Sequence, residues 1–282
     1  MPIPFRGGRG ILLALLMAGW VPRAAASALI ENLKNGEPQV VVAYGTSLTA
    51  NATTGSVASI RAGQWVNDLR NWLEAVYPGL ATVINSGQSG KASNTGVQLL
   101  SSAVLSKNPA VVIIEFSMND AFTQFGVNGN TNTMDAYPPI TLARAKSNLE
   151  SMITSIRAQN PFAEIILMTM NVAYDTAANP ISRRPDLASY HQVYRDVAAE
   201  QDLLLVDNYA TWKEIHDTDF NLYKTYVPDG VHPSATAATL VTFANLKSAL
   251  IAVPEPSSIA LSAVASLLLI GVHSWARRTD PS

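Results

Sequence analysis

Five short apolar runs, rich in β-branched residues and separated by segments of helical period, constrain this chain's fold more than any other feature of its sequence. Gln39-Val40-Val41-Val42-Ala43 is the first and leads to Gly45; Ala81-Thr82-Val83-Ile84-Asn85 is the second and leads into Ser86-Gly87-Gln88-Ser89-Gly90. Ala110 to Glu115, Glu164 to Thr169 and Leu203 to Val206 complete the set. A strand with one wet face alternates apolar and polar residues, whereas these runs are continuous, as strands buried on both faces are. Between them, Trp65, Leu69, Trp72 and Leu73 recur at helical spacing until Tyr77-Pro78-Gly79 stops the pattern. Leu142 to Arg157, Leu187 to Gln201 and Thr236 to Ile251 read as helices on the same grounds. Strands alternating with helices predict an α/β domain, a three-layer α/β/α sandwich on a flavodoxin-like parallel sheet of about five strands. Ligands in such sheets bind beyond the carboxyl ends of the strands. The loops after Ala43, Asn85, Glu115 and Thr169, and the one before the last helix, are therefore where chemistry is expected.

The two ends of the chain follow other rules. Residues 1–28 carry Arg6 and Arg9, then an apolar run from Ile11 to Val21, then Ala24-Ala25-Ala26-Ser27-Ala28. A basic start, a short apolar middle and small residues at the end describe a secretory signal peptide, with cleavage expected after Ala28 and Ala26 as the alternative site. The apolar run is too short for a membrane span of roughly 20 residues. At the other end, Pro254 and Pro256 cannot continue a helix and separate residues 253–282 from the body. There, Pro254-Glu255-Pro256 is followed by an apolar segment, Ile259 to Val272, and by Arg277-Arg278. That set resembles the PEP-CTERM sorting tail. The resemblance implies a membrane anchor processed by dedicated sorting machinery in bacteria that build an extracellular polysaccharide matrix; an ordinary C-terminal anchor is the alternative. Residues 29–252 remain as one domain, long enough for a single sizeable core.

Composition narrows the chemistry. The chain has no cysteine, which removes disulfide scaffolds, thiolate nucleophiles and Cys-type metal sites. Its formal charge is -2, and no Lys/Arg cluster appears in the body, so nucleic acid is not an expected partner. No metal and no cofactor are expected. Four of the loops singled out by the strand pattern carry reactive residues. Ser47 follows the first strand in Tyr44-Gly45-Thr46-Ser47-Leu48-Thr49. Near the other end, Asp229 stands three residues ahead of His232 in Pro228-Asp229-Gly230-Val231-His232-Pro233. A serine hydroxyl is a poor nucleophile until a base takes its proton, and that base needs a carboxylate to fix its tautomer. Acyl transfer also needs donors aimed at the oxyanion. The Ser47 amide, the Gly90 amide and the Asn119 side chain supply candidates, with Gly87 a second amide close by.

These residues resemble the SGNH/GDSL hydrolase family. Gly45-Thr46-Ser47-Leu48-Thr49 is similar to its first block, with Thr46 where Asp is usual. Asn85-Ser86-Gly87-Gln88-Ser89-Gly90 is similar to the second block, and Ser117-Met118-Asn119-Asp120 to the Gly-x-Asn-Asp block, with Ser117 for the glycine. Asp229-Gly230-Val231-His232 matches the Asp-x-x-His block. The blocks occur in family order over about Val40 to Ala249. The resemblance implies Ser47 as nucleophile, His232 as base, Asp229 as its orienter, and Ser47, Gly90 and Asn119 as the oxyanion hole.

The expected activity is hydrolysis of a carboxylic ester through an acyl-enzyme on Ser47. With the export signals, this points to a glycan or small-molecule ester, such as O-acetyl groups on extracellular polysaccharide. An O-acyltransferase with the same triad is the first alternative, and a catalytically silent binding protein on the same scaffold the second. Outside the blocks, His191 reads as a surface residue of its helix and His216 as part of a solvated loop. Glu115 reads as a strand-end carboxylate that binds a loop backbone. Trp212, Tyr223 and Tyr226 read as core packing. Phe122 to Ala136, a long polar loop closed by Tyr137-Pro138-Pro139, is the candidate for substrate selection, with plain disorder as the equal alternative.

Overall fold

The computed structural model describes residues 27–50, 60–122, 140–176 and 184–252. The segment read as a signal peptide, up to Ala26, the polar loop from residue 123 on and the tail from residue 253 lie outside the described residues.

All five apolar runs form strands, β1 (Gln39–Gly45), β2 (Ala81–Asn85), β3 (Val111–Glu115), β4 (Glu164–Thr169) and β5 (Leu204–Asp207). They make one parallel sheet in the order β2-β1-β3-β4-β5, the flavodoxin-like order the pattern predicts. Successive side chains of a strand point to opposite faces, and here both faces are dry. Val41, Ala43, Val111, Ile113, Ile166 and Met168 join one core. Val42, Tyr44, Val112, Ile114, Ile165 and Leu167 join the other.

The first core is covered by α1 (Ala28–Lys34), α2 (Gln64–Val76) and α10 (Ala244–Ile251), through Leu29, Trp65, Leu69, Leu73 and Leu246. The second is covered by α3 (Ser93–Ala103), α5 (Leu142–Gln159) and α6 (Leu187–Gln201), through Leu100, Leu149, Met152, Ile156 and Val197. Two layers of helix on one sheet make the three-layer sandwich. The C-terminal helical stretch read as Thr236 to Ile251 runs from α9 (Ala235–Ala237) through a π-helical turn, Ala238–Phe243, into α10. The region between β5 and the Asp-x-x-His turn is helical too, as α7 (Asn208–Thr218) and α8 (Phe220–Tyr226). Trp212 and Tyr223 are fully buried there, in a third small core with Val227 and Val241.

One topological fact positions the site. After β1 the chain crosses to the α2 layer, whereas after β3 it passes through α4 (Ser117–Asp120) to the opposite, α5 layer. Neighbouring strands whose connections part in opposite directions leave a crevice at their carboxyl ends, which is where such sheets bind ligands. Ser47 follows β1 and Asn119 follows β3.

Candidate active site

Glu115, the last residue of β3, is only 1% exposed and holds the turn that carries Ser47. Its Oε1 accepts hydrogen bonds from the Thr46 amide at 2.7 Å, the Thr46 hydroxyl at 3.0 Å and the Thr49 hydroxyl at 2.7 Å. Burial pushes its carboxyl up to about 7 even though these donors pull the other way, and the nearby Asp120 adds to the rise. Gly45 is required by this carboxylate: a Cβ there would lie 2.3 Å from Glu115 Oε1. Its role is close approach, since Gly45 is the extended last residue of β1 and not a left-handed one. Thr46, where the resemblance expects Asp, faces Glu115 and also accepts from the Leu48 amide at 3.1 Å. Its side chain is turned away from the reactive serine.

The other side of the crevice is the turn before α9. Asp229 Oδ1 accepts from the amides of Val231 at 3.0 Å and His232 at 2.7 Å, and its Oδ2 lies 2.7 Å from His232 Nδ1. The ring's far nitrogen, Nε2, lies 2.8 Å from Ser47 Oγ. Burial raises the Asp229 pKa, but the hydrogen bond and charge of His232 and the two amides outweigh it and hold the carboxyl below its usual value. An ionised Asp229 keeps the proton on Nδ1 and leaves Nε2 free to accept from Ser47. Gly230 makes this turn possible in two ways. Its φ is +86°, and a Cβ on it would lie 2.1 Å from the Tyr174 carbonyl oxygen. Loop residues after β4 clamp the turn from behind. Asn171 Nδ2 donates to the Val231 carbonyl at 2.8 Å, and the Tyr174 amide donates to the Gly230 carbonyl at 2.9 Å.

The oxyanion candidates stand on loops that are tied to one another. Asn119 Nδ2 donates to the carbonyl of Lys91, the residue after Gly90, at 2.9 Å, and its second hydrogen remains for a ligand. Asp120 Oδ1 accepts from the Ser93 amide at 2.8 Å, a second tie between the loops after β2 and β3. Burial pushes Asp120 up to about 7 against that bond. The Gln88 amide donates to Gly45 O at 2.7 Å, and Asn85 Nδ2 donates to Thr49 O at 2.7 Å, tying the loop after β2 to the serine turn. Gly87 is not a free donor. Its amide is spent on Asn85 Oδ1 at 2.9 Å, and a Cβ there would lie 2.2 Å from the Ala50 nitrogen. Gly90 has φ +73°, and its amide and that of Ser47 donate to no group among the described residues.

Two histidines stand differently from their sequence reading. His191 is fully buried, not on the surface, and its Nδ1 lies 2.9 Å from the hydroxyl of Ser117. Burial lowers its pKa to about 3, with Arg195 adding to the drop, so the ring is neutral. That contact explains how Ser117 stands where the resemblance expects glycine: its hydroxyl is turned into the core. The Phe116 amide donates to the Tyr194 hydroxyl at 2.7 Å, so two α6 side chains fix the entry to α4. His216 lies in α7 rather than a loop, 2.8 Å from Asp217 Oδ1. No group of three metal-ligating side chains occurs among the described residues.

Residues 43–240 match the model of the GDSL-like lipase/acylhydrolase family. Among solved structures, the acetylxylan esterase Axe2 from Geobacillus stearothermophilus superposes with a TM-score of 0.61 at 21% identity, over 78% of this chain and 98% of its own. A lipase/acylhydrolase from Enterococcus faecalis gives 0.56 at 23% identity, over 78% of this chain and 100% of the other. LAE5, an alpha/beta hydrolase from the metagenome of Lake Arreo, gives 0.60 at 18% identity, over 81% and 97%. Identities this low bear on the fold alone. No curated protein sequence matches the chain.

Proposed function

The chain belongs to the GDSL-like lipase/acylhydrolase family of ester-hydrolysing enzymes, and from that premise we propose that it cleaves carboxylic esters through an acyl-enzyme on Ser47. The observation that carries this reading is the unbroken chain Ser47 Oγ–His232 Nε2 and His232 Nδ1–Asp229 Oδ2, at 2.8 and 2.7 Å. His232 Nε2 takes the hydroxyl proton as Ser47 Oγ bonds to the ester carbonyl carbon. The negative charge then on the carbonyl oxygen is met by the amides of Ser47 and Gly90 and by Asn119 Nδ2, each such donor being worth roughly 3 kcal/mol of barrier. His232 next gives the proton to the departing alkoxide as the carbon–oxygen bond breaks. A water attacks the acyl-enzyme, again losing its proton to His232, and releases the carboxylic acid with Ser47 restored.

For the substrate we propose O-acetyl groups on a polysaccharide outside the cell. The basic-apolar leader, the Pro-Glu-Pro tail and the fold shared with an acetylxylan esterase support that class. The same two terminal signals support export, with the tail holding the protein in the envelope until sorting machinery processes it. The test is hydrolysis of aryl esters from acetyl to octanoyl, and release of acetate from acetylated xylan, by the purified protein and by Ser47→Ala. Turnover confined to short acyl chains and abolished in Ser47→Ala is the expected result. Turnover that persists in Ser47→Ala overturns the nucleophile, and a preference for octanoyl overturns the substrate class.

A further inference from the structure

Arg184 is a buried cation that the hydrolytic steps do not use. It lies between the loop after β4 and the start of α6, and only 8% of it is exposed. Burying a guanidinium is expensive unless its donors are met, and a charge retained at that expense calls for a role. Three of its contacts reach one short segment, the one that carries Asn119. Arg184 Nε donates to the Met118 carbonyl at 2.5 Å, Nη2 lies 3.5 Å from Asn119 Oδ1, and the guanidinium carbon sits 5.0 Å from the centre of the Phe122 ring. Burial lowers its pKa to about 10, with Asp229 and Asp175 opposing the drop, so the group is charged at neutral pH.

An amide has two ends, and only the nitrogen end of Asn119 serves an oxyanion. Arg184 has donors and no acceptor, so it accepts only the Oδ1 end of Asn119 on its side. The Lys91 carbonyl accepts only the Nδ2 end on the other, at 2.9 Å. The two contacts define one orientation, with one Nδ2 hydrogen left over. A positive charge at Oδ1 also draws electron density from the amide and strengthens Nδ2 as a donor when the oxyanion forms.

We propose that Arg184 is the positioning residue of the oxyanion hole, fixing and polarising the Asn119 amide through its Oδ1. The inference rests on the reading of Asn119 as an oxyanion donor. Arg184 touches no reacting atom and acts through Asn119, so its effect must vanish when Asn119 is gone.

The experiment is a double-mutant cycle on the full chain with p-nitrophenyl acetate, reading kcat and KM separately, with thermal unfolding of each variant alongside. Asn119→Ala is expected to lower kcat roughly 100- to 1,000-fold, the range for loss of one oxyanion donor. Arg184→Met is expected to lower kcat about 10-fold or more with KM changed less than about two-fold, as for an interaction that matters in the transition state. In the Asn119→Ala background, Arg184→Met is expected to cost almost nothing further. Arg184→Lys, which keeps the charge but not the fork, is expected to fall between wild type and Arg184→Met, and it decides the matter alone if the methionine variant does not fold. Full kcat in Arg184→Lys, or single effects that multiply in the double variant, overturns the proposal. Unchanged kcat in Asn119→Ala overturns it together with the assignment of Asn119, whereas activity surviving in Ser47→Ala sinks the nucleophile and leaves the Arg184–Asn119 coupling to stand on its own cycle.

Discussion

Glu115 gives the sharpest quantitative prediction, because it is a buried carboxyl whose proton affinity differs between the folded and unfolded chain. Burial pushes its pKa from 4.5 to about 7 in the fold. Between those values the folded state binds a proton that the unfolded state has released, so stability falls as pH rises through the window. At about 1.4 kcal/mol per tenfold change in proton affinity, this group contributes roughly 3 kcal/mol that is present below pH 4.5 and lost above pH 7. Glu115→Gln isolates the term, since Gln is a neutral isostere of the protonated acid. Its carbonyl oxygen can take the place of Oε1 and accept from the Thr46 amide and the Thr49 hydroxyl, while its amide replaces Oε2, which lies 3.2 Å from Thr46 Oγ1. Asp120 titrates in the same range and is present in both proteins, so the comparison retains only its interaction with Glu115, the last-named cause of the Glu115 shift. Urea unfolding followed by far-ultraviolet circular dichroism at pH 4.5 and pH 8 measures both stabilities. The variant is expected to gain on wild type by about 3 kcal/mol between the two conditions. A difference that is the same at both pH values refutes the argument, because Glu115 would then hold no extra proton in the fold.

Two further perturbations test the turn that carries His232. Gly230→Ala places a Cβ 2.1 Å from the Tyr174 carbonyl at a φ of +86°. It is expected to destabilise by roughly 1–3 kcal/mol, read from the urea midpoint, and to lower kcat on p-nitrophenyl acetate as Asp229 and His232 shift. Asn171→Ala removes the donor that meets the Val231 carbonyl at 2.8 Å. A buried carbonyl left without that partner is expected to cost about 1–3 kcal/mol in the same unfolding assay, and an unchanged midpoint would show that this bond does not hold the turn.

The strands were legible because both faces of the sheet are dry. A run such as Val40-Val41-Val42-Ala43 needs no partner to declare itself, and Ser47, Gly90 and Asn119 follow because each lies in the loop after a strand, whereas Asp229 and His232 lie in the turn before α9. What escaped the sequence was decided by contacts between distant segments. Ser93-Asn94-Thr95-Gly96 has poor helix propensity, yet α3 starts there, with its first amide bonded to Asp120 and Gly96 set so close to Phe116 that a Cβ would touch the ring at 2.9 Å. His191 did carry a signal: it shares an apolar stripe with Leu187, Tyr194 and Ala198, at steps of four, three and four. Arg184 carried none. Only the fold shows that its guanidinium lies against α4, where Nε meets the Met118 carbonyl.

The two departures from the family blocks are resolved by the same kind of contact. Thr46 hands its hydroxyl to Glu115, and Ser117 hands its own to His191, so neither side chain enters the crevice. Each reactive loop is held by a buried polar group behind it: Glu115 behind Ser47, Asn171 behind His232, Arg184 behind Asn119. Groups preset in this way need no reorganisation when charge develops on the substrate, which is the source of most electrostatic catalysis. The arrangement has a consequence for mutation. The three anchors come from the ends of β3 and β4 and the start of α6, but the serine turn and the Asn119 segment are both tied to the loop after β2, so replacing Glu115 or Arg184 disturbs more than the loop it holds. Their effects on kcat should therefore not add, as for groups that act as a unit.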